Sequence, residues 1–337
     1  MDGIEVWREG RDTIRVIGDR EAFSRMQRRW DAVVVQDRLA TLHVSHLWLD
    51  AAWAAEPDAQ GRIVMIEDRD GAFVVAPLVL RKRLGGTVLE PLGGSRGDVP
   101  MIREQVRGAE LLRSVPRRLG ASRLSVEGMP AHSPAHVMLG GAWDRPAAAS
   151  GAQVAVIDAR PSWQEYVEAK GAGFARACAE LQAGLEGLDC ALHDDWGAAG
   201  VVLDVLGGGA FLKMLARRAA AQGSLRTAVV ARRGRPLAAA LSVAWEGTLW
   251  LVGVLRAEDE AAAVALRGAL AETAWHAFED PRTRRCDLGP ASAATREWAT
   301  ATEPLGHVAL GDGPIAGAAL ALGGLAKAFK PRSGEAA

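Results

Sequence analysis

Asparagine is absent from this 337-residue chain, tyrosine occurs once, and only five of its 40 basic residues are lysine. The skew toward arginine reads as codon bias in a GC-rich genome, so arginine abundance alone is no argument for an anionic partner. Net charge is −1, which leaves no global field to draw in nucleic acid or an anionic membrane. Cysteine is scarce too. Cys178, Cys190 and Cys286 lie far apart without C-x-x-C spacing, which argues against a zinc knuckle or a disulfide framework and for a reducing cytoplasm. No stretch approaches the roughly 20 apolar residues of a membrane span. The charged start MDGIEVWREGRD lacks the apolar core of a secretory signal. There is no G-x-S-x-G elbow and no G-x-x-x-x-G-K-[ST] loop. His43 and His46 lie three apart, and His132 and His136 flank Pro134; neither pair has a third ligand in view, so no metal is expected.

What the chain does have is apolar material, 49% of its residues, enough for two cores of about 150 residues each. It also has a repeated pattern. Residues 62–92 (RIVMIEDRDGAFVVAPLVLRKRLGGTVLEPL) read as strand, Asp-Gly turn, strand, Gly-Gly turn, strand, and residues 226–255 (RTAVVARRGRPLAAALSVAWEGTLWLVGVL) read the same way. The turn glycines Gly71 and Gly234 are 163 apart, Gly86 and Gly247 are 161 apart, and the later short strands beginning at Arg123 and Arg285 are 162 apart. Three anchors at nearly one offset indicate a duplicated unit.

Each copy opens alike. TIRVI (residues 13–17) predicts a strand, and Asp19 predicts the cap of a helix through Val35 with Phe23, Met26, Trp30 and Val33 on one face. In the second copy, residues 154–157 are apolar and Ser162 stands at a cap position. Helices are expected over residues 48–53 and 211–221, and AAASG (147–151) as the linker. The expected domains are therefore 1–148 and 149–330. The fold class is α/β of the α+β type, each domain a mixed, mostly antiparallel sheet flanked by helices. The second copy carries some 22 extra residues within 170–200, a long helix followed by DCALHDDWGAAG. The apolar segment 314–330 (PIAGAALALGGLAKAFK) suits either peripheral membrane contact or packing on the second domain.

The order of LHVSHLWLDAAW, APLVLRKR, LGGSRGDVPMI, FLKMLARRAAAQGSLR and RPLAAALSVAWEGTLWLVGV resembles the CelD/BcsL-type acetyltransferases, relatives of the FemAB aminoacyl transferases. The resemblance spans roughly residues 13–312 and is one of architecture more than of signature. It implies two tandem GNAT-like domains and an acyl-CoA donor, acetyl-CoA in the simplest case. It also implies an acceptor amine or hydroxyl on a sugar or lipid-linked envelope or exopolysaccharide precursor. Where such proteins carry a basic run in the second half, this chain has KGAGFAR (170–176); where they show a Gly-Asp-x-x-Tyr-Lys-like segment, it has DLGPASAATREW (287–298), keeping the Asp and Gly without Tyr-Lys.

Acyl transfer from a thioester needs a cradle for the donor's pyrophosphate, a group to polarise the carbonyl, and a route for the acceptor's proton. By the resemblance, the donor lies along the strand of Trp250, Gly253, Val254 and Arg256 and reaches the helix that begins near Ala261. Glu258, Asp259 and Glu260 stand in that loop, where they read either as an acidic helix cap or as repulsion for phosphate. The matching loop of the first copy, with Gly93, Gly94, Ser95, Arg96, Gly97 and Asp98, reads either as a diphosphate cradle or as an ordinary Gly-rich turn. Asp287 is the candidate general base or acceptor ligand, or else a cap before the Gly289-Pro290 turn. Arg296 is the candidate anion clamp in place of the family's lysine, or a solvated helix residue. Trp250 and Trp298 are substrate platforms or core. Besides acyl transfer, two functions stay open: a non-catalytic binding protein on the same scaffold, and transfer from an aminoacyl donor as in FemAB proteins.

Overall fold

The computed structural model describes residues 3–83, 86–94, 96–142 and 148–311. Its contacts divide the chain into two compact units, one running to Ser150 and resumed at Leu305, the other Gly151–Pro304. The sequence division assigns everything from 149 to 330 to the second half, whereas the contacts close that unit at Pro304. The predicted helix 314–330 lies outside the described residues. Among the described residues, no helix is long and apolar enough to cross a membrane.

The first unit opens with the hairpin β1 (Ile4–Glu9) and β2 (Asp12–Ile17). Asp19 caps the next helix as expected, its carboxylate accepting from the Ala22 N–H. The single helix read through Val35 is two, α1 (Arg20–Arg25) and α2 (Gln27–Val34), parted at Met26, whose N–H turns back to Phe23 O. The break sets the Phe23 ring edge-on to Trp30 at 5.2 Å. After a 3-10 turn (Leu42–Val44) comes α3 (His46–Ala55), capped by Ser45. Then follow β3 (Gln60–Asp68), β4 (Gly71–Arg83) and β5 (Gly86–Pro91), the first predicted triple, with Gly71 at φ +107 supplying the turn. α4 (Gln105–Arg118), β6 (Arg123–Pro130) and α5 (Pro134–Ala142) complete this stretch.

In the second unit, β7 (Ala148–Asp158) leads to α6 (Trp163–Lys170), held by a capping box between Ser162 and Glu165. The insertion forms α7 (Ala172–Gly184), the short strand β8 (Asp189–His193) and α8 (Trp196–Val205), with Asp195 capping α8. α9 (Ala210–Ala221) leads into the second triple, β9 (Leu225–Arg232), β10 (Arg235–Trp245) and β11 (Thr248–Arg256). α10 (Ala262–Glu279), β12 (Arg285–Pro290) and α11 (Ala293–Trp298) end the unit. Its sheet order is β7-β12-β11-β10-β9-β8, antiparallel except for β11 with β12. The last strand, β13 (Ala301–Gly311), runs antiparallel to β6 from Leu305 onward. It closes the first unit's sheet, β1-β2-β3-β4-β5-β6-β13, in which only β5 and β6 are parallel.

Two antiparallel triples, each followed by a helix and a parallel strand, are the GNAT-like order expected from the duplication. Each unit has its own core. In the first, Phe73, Val74, Leu112, Val126 and Val308 are buried together. In the second, α10 lies on β9 and β10 through small residues, Ala265 and Ala269 meeting a surface that includes Ala228, Ala238 and Ala240. Short side chains on both faces let helix and sheet approach closely, and Gly268 extends that face toward Leu185.

Candidate functional site

In the second unit, β11 pairs with β12 over three positions only: Thr248 with Arg285, Leu249 with Cys286, Trp250 with Asp287. Beyond that last rung the strands part. β11 continues to Arg256, while β12 ends at Pro290 after Gly289, which sits at φ +75. A bulge contributes to the parting. The β10–β11 register slips between Leu241 and Ser242, leaving Val252 as the extra residue on β11, and a bulge bends and twists its strand.

The ladder fixes what β11 offers to the gap. Ala257 donates its N–H to Leu237 O, so by the two-residue alternation the backbone groups of Leu255 and Gly253 face β10 and those of Val254 and Arg256 face away from it. The Leu251 carbonyl lies on the gap side as well, 3.8 Å from where a Cβ on Gly289 would stand. Among the described residues, no backbone hydrogen bond closes this gap beyond Trp250 and Asp287. The side chain of Val254 is 47% exposed.

The first unit starts from the same geometry, with β5 and β6 parallel at Val88–Arg123 and Leu89–Leu124 only. Here the chain fills its own gap. Five residues join β11 to α10, but thirteen join β5 to α4, and the longer connection folds inward. The Gly97 N–H donates to Glu127 O on β6, Val75 on β4 donates to Pro100 O, Ile102 donates to Phe73 O, and Met101 bridges to Val74. Val99 and Met101 enter the core. Gly97 is required for this course because a Cβ there would stand 2.3 Å from Pro91 Cγ and 3.3 Å from Glu127 O. We expect Gly97→Ala to destabilise the protein by about 1–3 kcal/mol, the usual cost of overpacking, read from urea midpoints; an unchanged midpoint would show that the segment is loosely seated.

The loop read as a diphosphate cradle is thus the start of this inserted segment. Gly93 accepts from the Trp48 indole N–H at 3.3 Å and Gly94 is exposed at φ +113, while Ser95 lies outside the described residues. Arg96 is half-buried near His43, whose pKa is pushed well below its usual value by burial and then by that guanidinium. Asp98 is 1% exposed. Its Oδ1 accepts from Val99 N and from Ser133 Oγ, and burial, reinforced by the charge of Asp37, raises its pKa to about 7. Gly97, with its N–H committed to Glu127, and Asp98, with its carboxylate buried, thus serve the packed segment and do not present groups to a diphosphate. Arg103 and Arg107 nearby are not free anion ligands either. Arg103 is bidentate to Asp68, and Arg107 engages Asp12 and Asp68.

The second unit brings Trp250 and Asp287 together as cross-strand partners at the apex of the gap. Asp287 is 1% exposed, and its Oδ1 accepts from the Gly289 N–H at 2.8 Å, which orders the turn. Trp250 is buried, its indole N–H directed at Trp245 O. Trp298, 1% exposed, meets Phe174 edge-on at 5.4 Å and is a core residue rather than a substrate platform. Gly253 makes room for Leu212 of α9, which would lie 3.0 Å from a Cβ. Arg256 is exposed. Arg296 is exposed on α11 and donates to Gln153 Oε1 at 3.1 Å.

The acidic loop closes a local turn before α10, whose N-cap, Ala261, has no side-chain cap of its own. Asp259 Oδ1 accepts from Ala261 N at 2.8 Å, its carbonyl accepts from Ala262 N, and its carboxylate stands 3.7 Å from Arg232. Sequence reasoning missed the bulge at Val252 and the gap-facing backbone of Leu251, Val254 and Arg256. Backbone direction has no residue-type signature, and only the ladder reveals it. Among the described residues, no group of His, Cys, Asp and Glu is arranged to hold a metal ion. His46 and His136 instead contact the carbonyls of Phe23 and Ala131.

No protein-family model and no curated protein matches the chain. Solved structures do. FemX is similar with a TM-score of 0.62 at 9% identity, covering 84% of this chain and 96% of its own. The C-terminal domain of a putative lysylphosphatidylglycerol synthetase from Agrobacterium fabrum scores 0.58 at 13% identity, covering 90% and 97%. L-PGS from Bacillus licheniformis scores 0.52 at 10% identity, covering 94% and 98%. What they share with this chain is the fold. At these identities the likeness says how the chain is arranged and leaves its chemistry to the site.

Proposed function

We propose that the chain is a GNAT-type acyltransferase. An acyl-CoA, acetyl-CoA in the simplest case, lies along β11 in the gap beyond Trp250 and Asp287, and its acyl group passes to an amine or hydroxyl of a sugar or lipid-linked envelope precursor in the cytoplasm. The observation that carries this reading is the contrast between the two gaps, one with the backbone of Val254 and Arg256 facing into it, the other filled by residues 97–102. Strand-edge N–H and C=O groups suit an extended, amide-bearing arm such as pantetheine. The acceptor attacks the thioester carbonyl carbon, the C–S bond breaks, and the departing thiol carries the proton that the acceptor gives up. Backbone N–H groups at the bulge polarise the carbonyl oxygen. No protein nucleophile is needed, and Cys286 is unsuited to be one: it is fully buried, and burial together with the charge of Asp287 holds it as a thiol. The CelD/BcsL-type resemblance supports the same donor and acceptor classes.

A second reading takes an aminoacyl ester as donor. It is favoured by the α10 N-terminus, where Asp259 already occupies the Ala261 N–H and Glu258 and Glu260 add charge against a pyrophosphate. The fold shared with FemX and L-PGS is compatible with it. Thermal unfolding with acetyl-CoA separates the readings. Saturating acetyl-CoA should raise the midpoint by a few degrees, as binding to the native state alone requires. No shift with any acyl-CoA, together with transfer from an aminoacyl-tRNA, would select the second reading; no shift and no transfer would leave a non-catalytic binding protein.

A further inference from the structure

The second unit carries a groove of about 630 Å³ between α7 and α10, with β8 at one end. Its walls include the rings of Trp163 and Trp275, the side chain of Leu181, the thiols of Cys178 and Cys190, and one carboxylate, Glu272. The volume falls in the range of small-molecule sites, and an apolar, aromatic lining with few polar groups is their usual character. None of the residues named for the gap at β11 except Trp298 touches it, and Trp298 does so only as part of the core wall.

Glu272 gives the groove a sign. It is half-buried, and among the described residues it has neither an ion pair nor a hydrogen bond; burial alone raises its pKa. Asp189 adds a second negative charge at the Cys190 end. The cations near the Cys178 end are engaged elsewhere: Arg267 is bound to Glu297, and Lys170 donates to Ala299 O over the Phe174 ring. An unpaired carboxylate in a groove walled by tryptophans is matched by a cation with an apolar body, because the charge gains both a counter-ion and an aromatic face. Trp275 is 44% exposed on α10, three residues from Glu272 and so on the neighbouring face.

We propose that this groove binds an amphipathic cation, a primary or quaternary ammonium carrying an alkyl or comparably apolar body, with Glu272 as counter-ion. The two thiols provide a direct readout, since Cys178 and Cys190 line the groove and the third cysteine, Cys286, is wholly buried. The full-length protein is treated with N-ethylmaleimide in the presence of decylammonium, decanol or decanoate below their aggregation concentrations. Decylammonium should slow alkylation of Cys178 and Cys190 at concentrations at least about tenfold lower than decanoate requires. Lengthening the chain should tighten binding by about fourfold per methylene. In Glu272→Gln, protection by decylammonium should weaken about tenfold while protection by decanol stays unchanged. Equal protection by all three head groups, or an unchanged decylammonium response in the variant, would show an unselective apolar surface and overturn the proposal. Failure of every probe to protect either thiol would overturn it as well. The test uses no acyl donor, so its outcome is independent of the acyltransfer reading.

Discussion

Val254→Pro is expected to cost at least about tenfold in affinity for acyl-CoA while leaving the fold of the second unit in place. The reasoning rests on which way one N–H points. Ala257 bonds to Leu237, so the alternation of the ladder turns the Val254 N–H away from β10 and into the gap. Proline is tolerated in a strand where the missing N–H serves no ladder bond, and the position is exposed on its side-chain face. Removing a donor from a ligand's amide leaves that amide unpaired, at about 1–3 kcal/mol. Val254→Ala is the control: it keeps the N–H and should bind within about threefold of wild type. Isothermal titration of both variants with acetyl-CoA, beside their melting curves, decides the matter. Equal losses in the two would mean that the side chain rather than the strand edge makes the contact.

Asp98→Asn is expected to remove much of the protein's loss of stability on going from mildly acidic to neutral pH. The Asp98 carboxyl is buried, and its pKa stands at about 7 against an ordinary value of 3.8. Between those values the native state keeps a proton that the unfolded chain has released, so stability falls as pH rises through the window and levels off above about 7. From pH 5 to pH 7 that amounts to about 2–3 kcal/mol at 1.36 kcal/mol per pH unit. Asparagine preserves the oxygen that accepts from Val99 and Ser133 and cannot titrate. Asp31 and Asp37, also raised by burial, leave a residual slope of the same sign. Urea unfolding at pH 5, 6, 7 and 8 compares the two proteins, and parallel pH profiles would show that Asp98 carries no such load.

Local chemistry made the triples, their turn glycines and the caps at Asp19 and Ser162 legible in the sequence. A turn at Gly71 or a cap at Ser162 is settled within a few residues, and the repeat then confirmed each reading from its twin. What the sequence did not disclose depends on contacts far along the chain. The thirteen-residue connection after β5 looked like a glycine-rich receptor because its glycines are visible and its destination is not. Asp287 looked functional because it stands at a strand end, and Trp298 because an aromatic ring can carry a substrate; the fold buries both, Asp287 accepting from the Gly289 N–H and Trp298 packing on Phe174. The strands β1, β8 and β13 were missed for the same reason. Each is short or lies at a segment's margin, and each acquires strand character from the neighbour it pairs with.

The return of β13 to the first unit has a consequence for the order in which the molecule is made. During synthesis the first unit emerges with β6 as an open edge, its outward N–H and C=O groups lacking the partner that residues 305–311 supply. That partner leaves the ribosome only after the entire second unit has been translated. The domain begun first is therefore finished last, and for most of its birth it carries an unpaired strand edge of the kind that other chains can join.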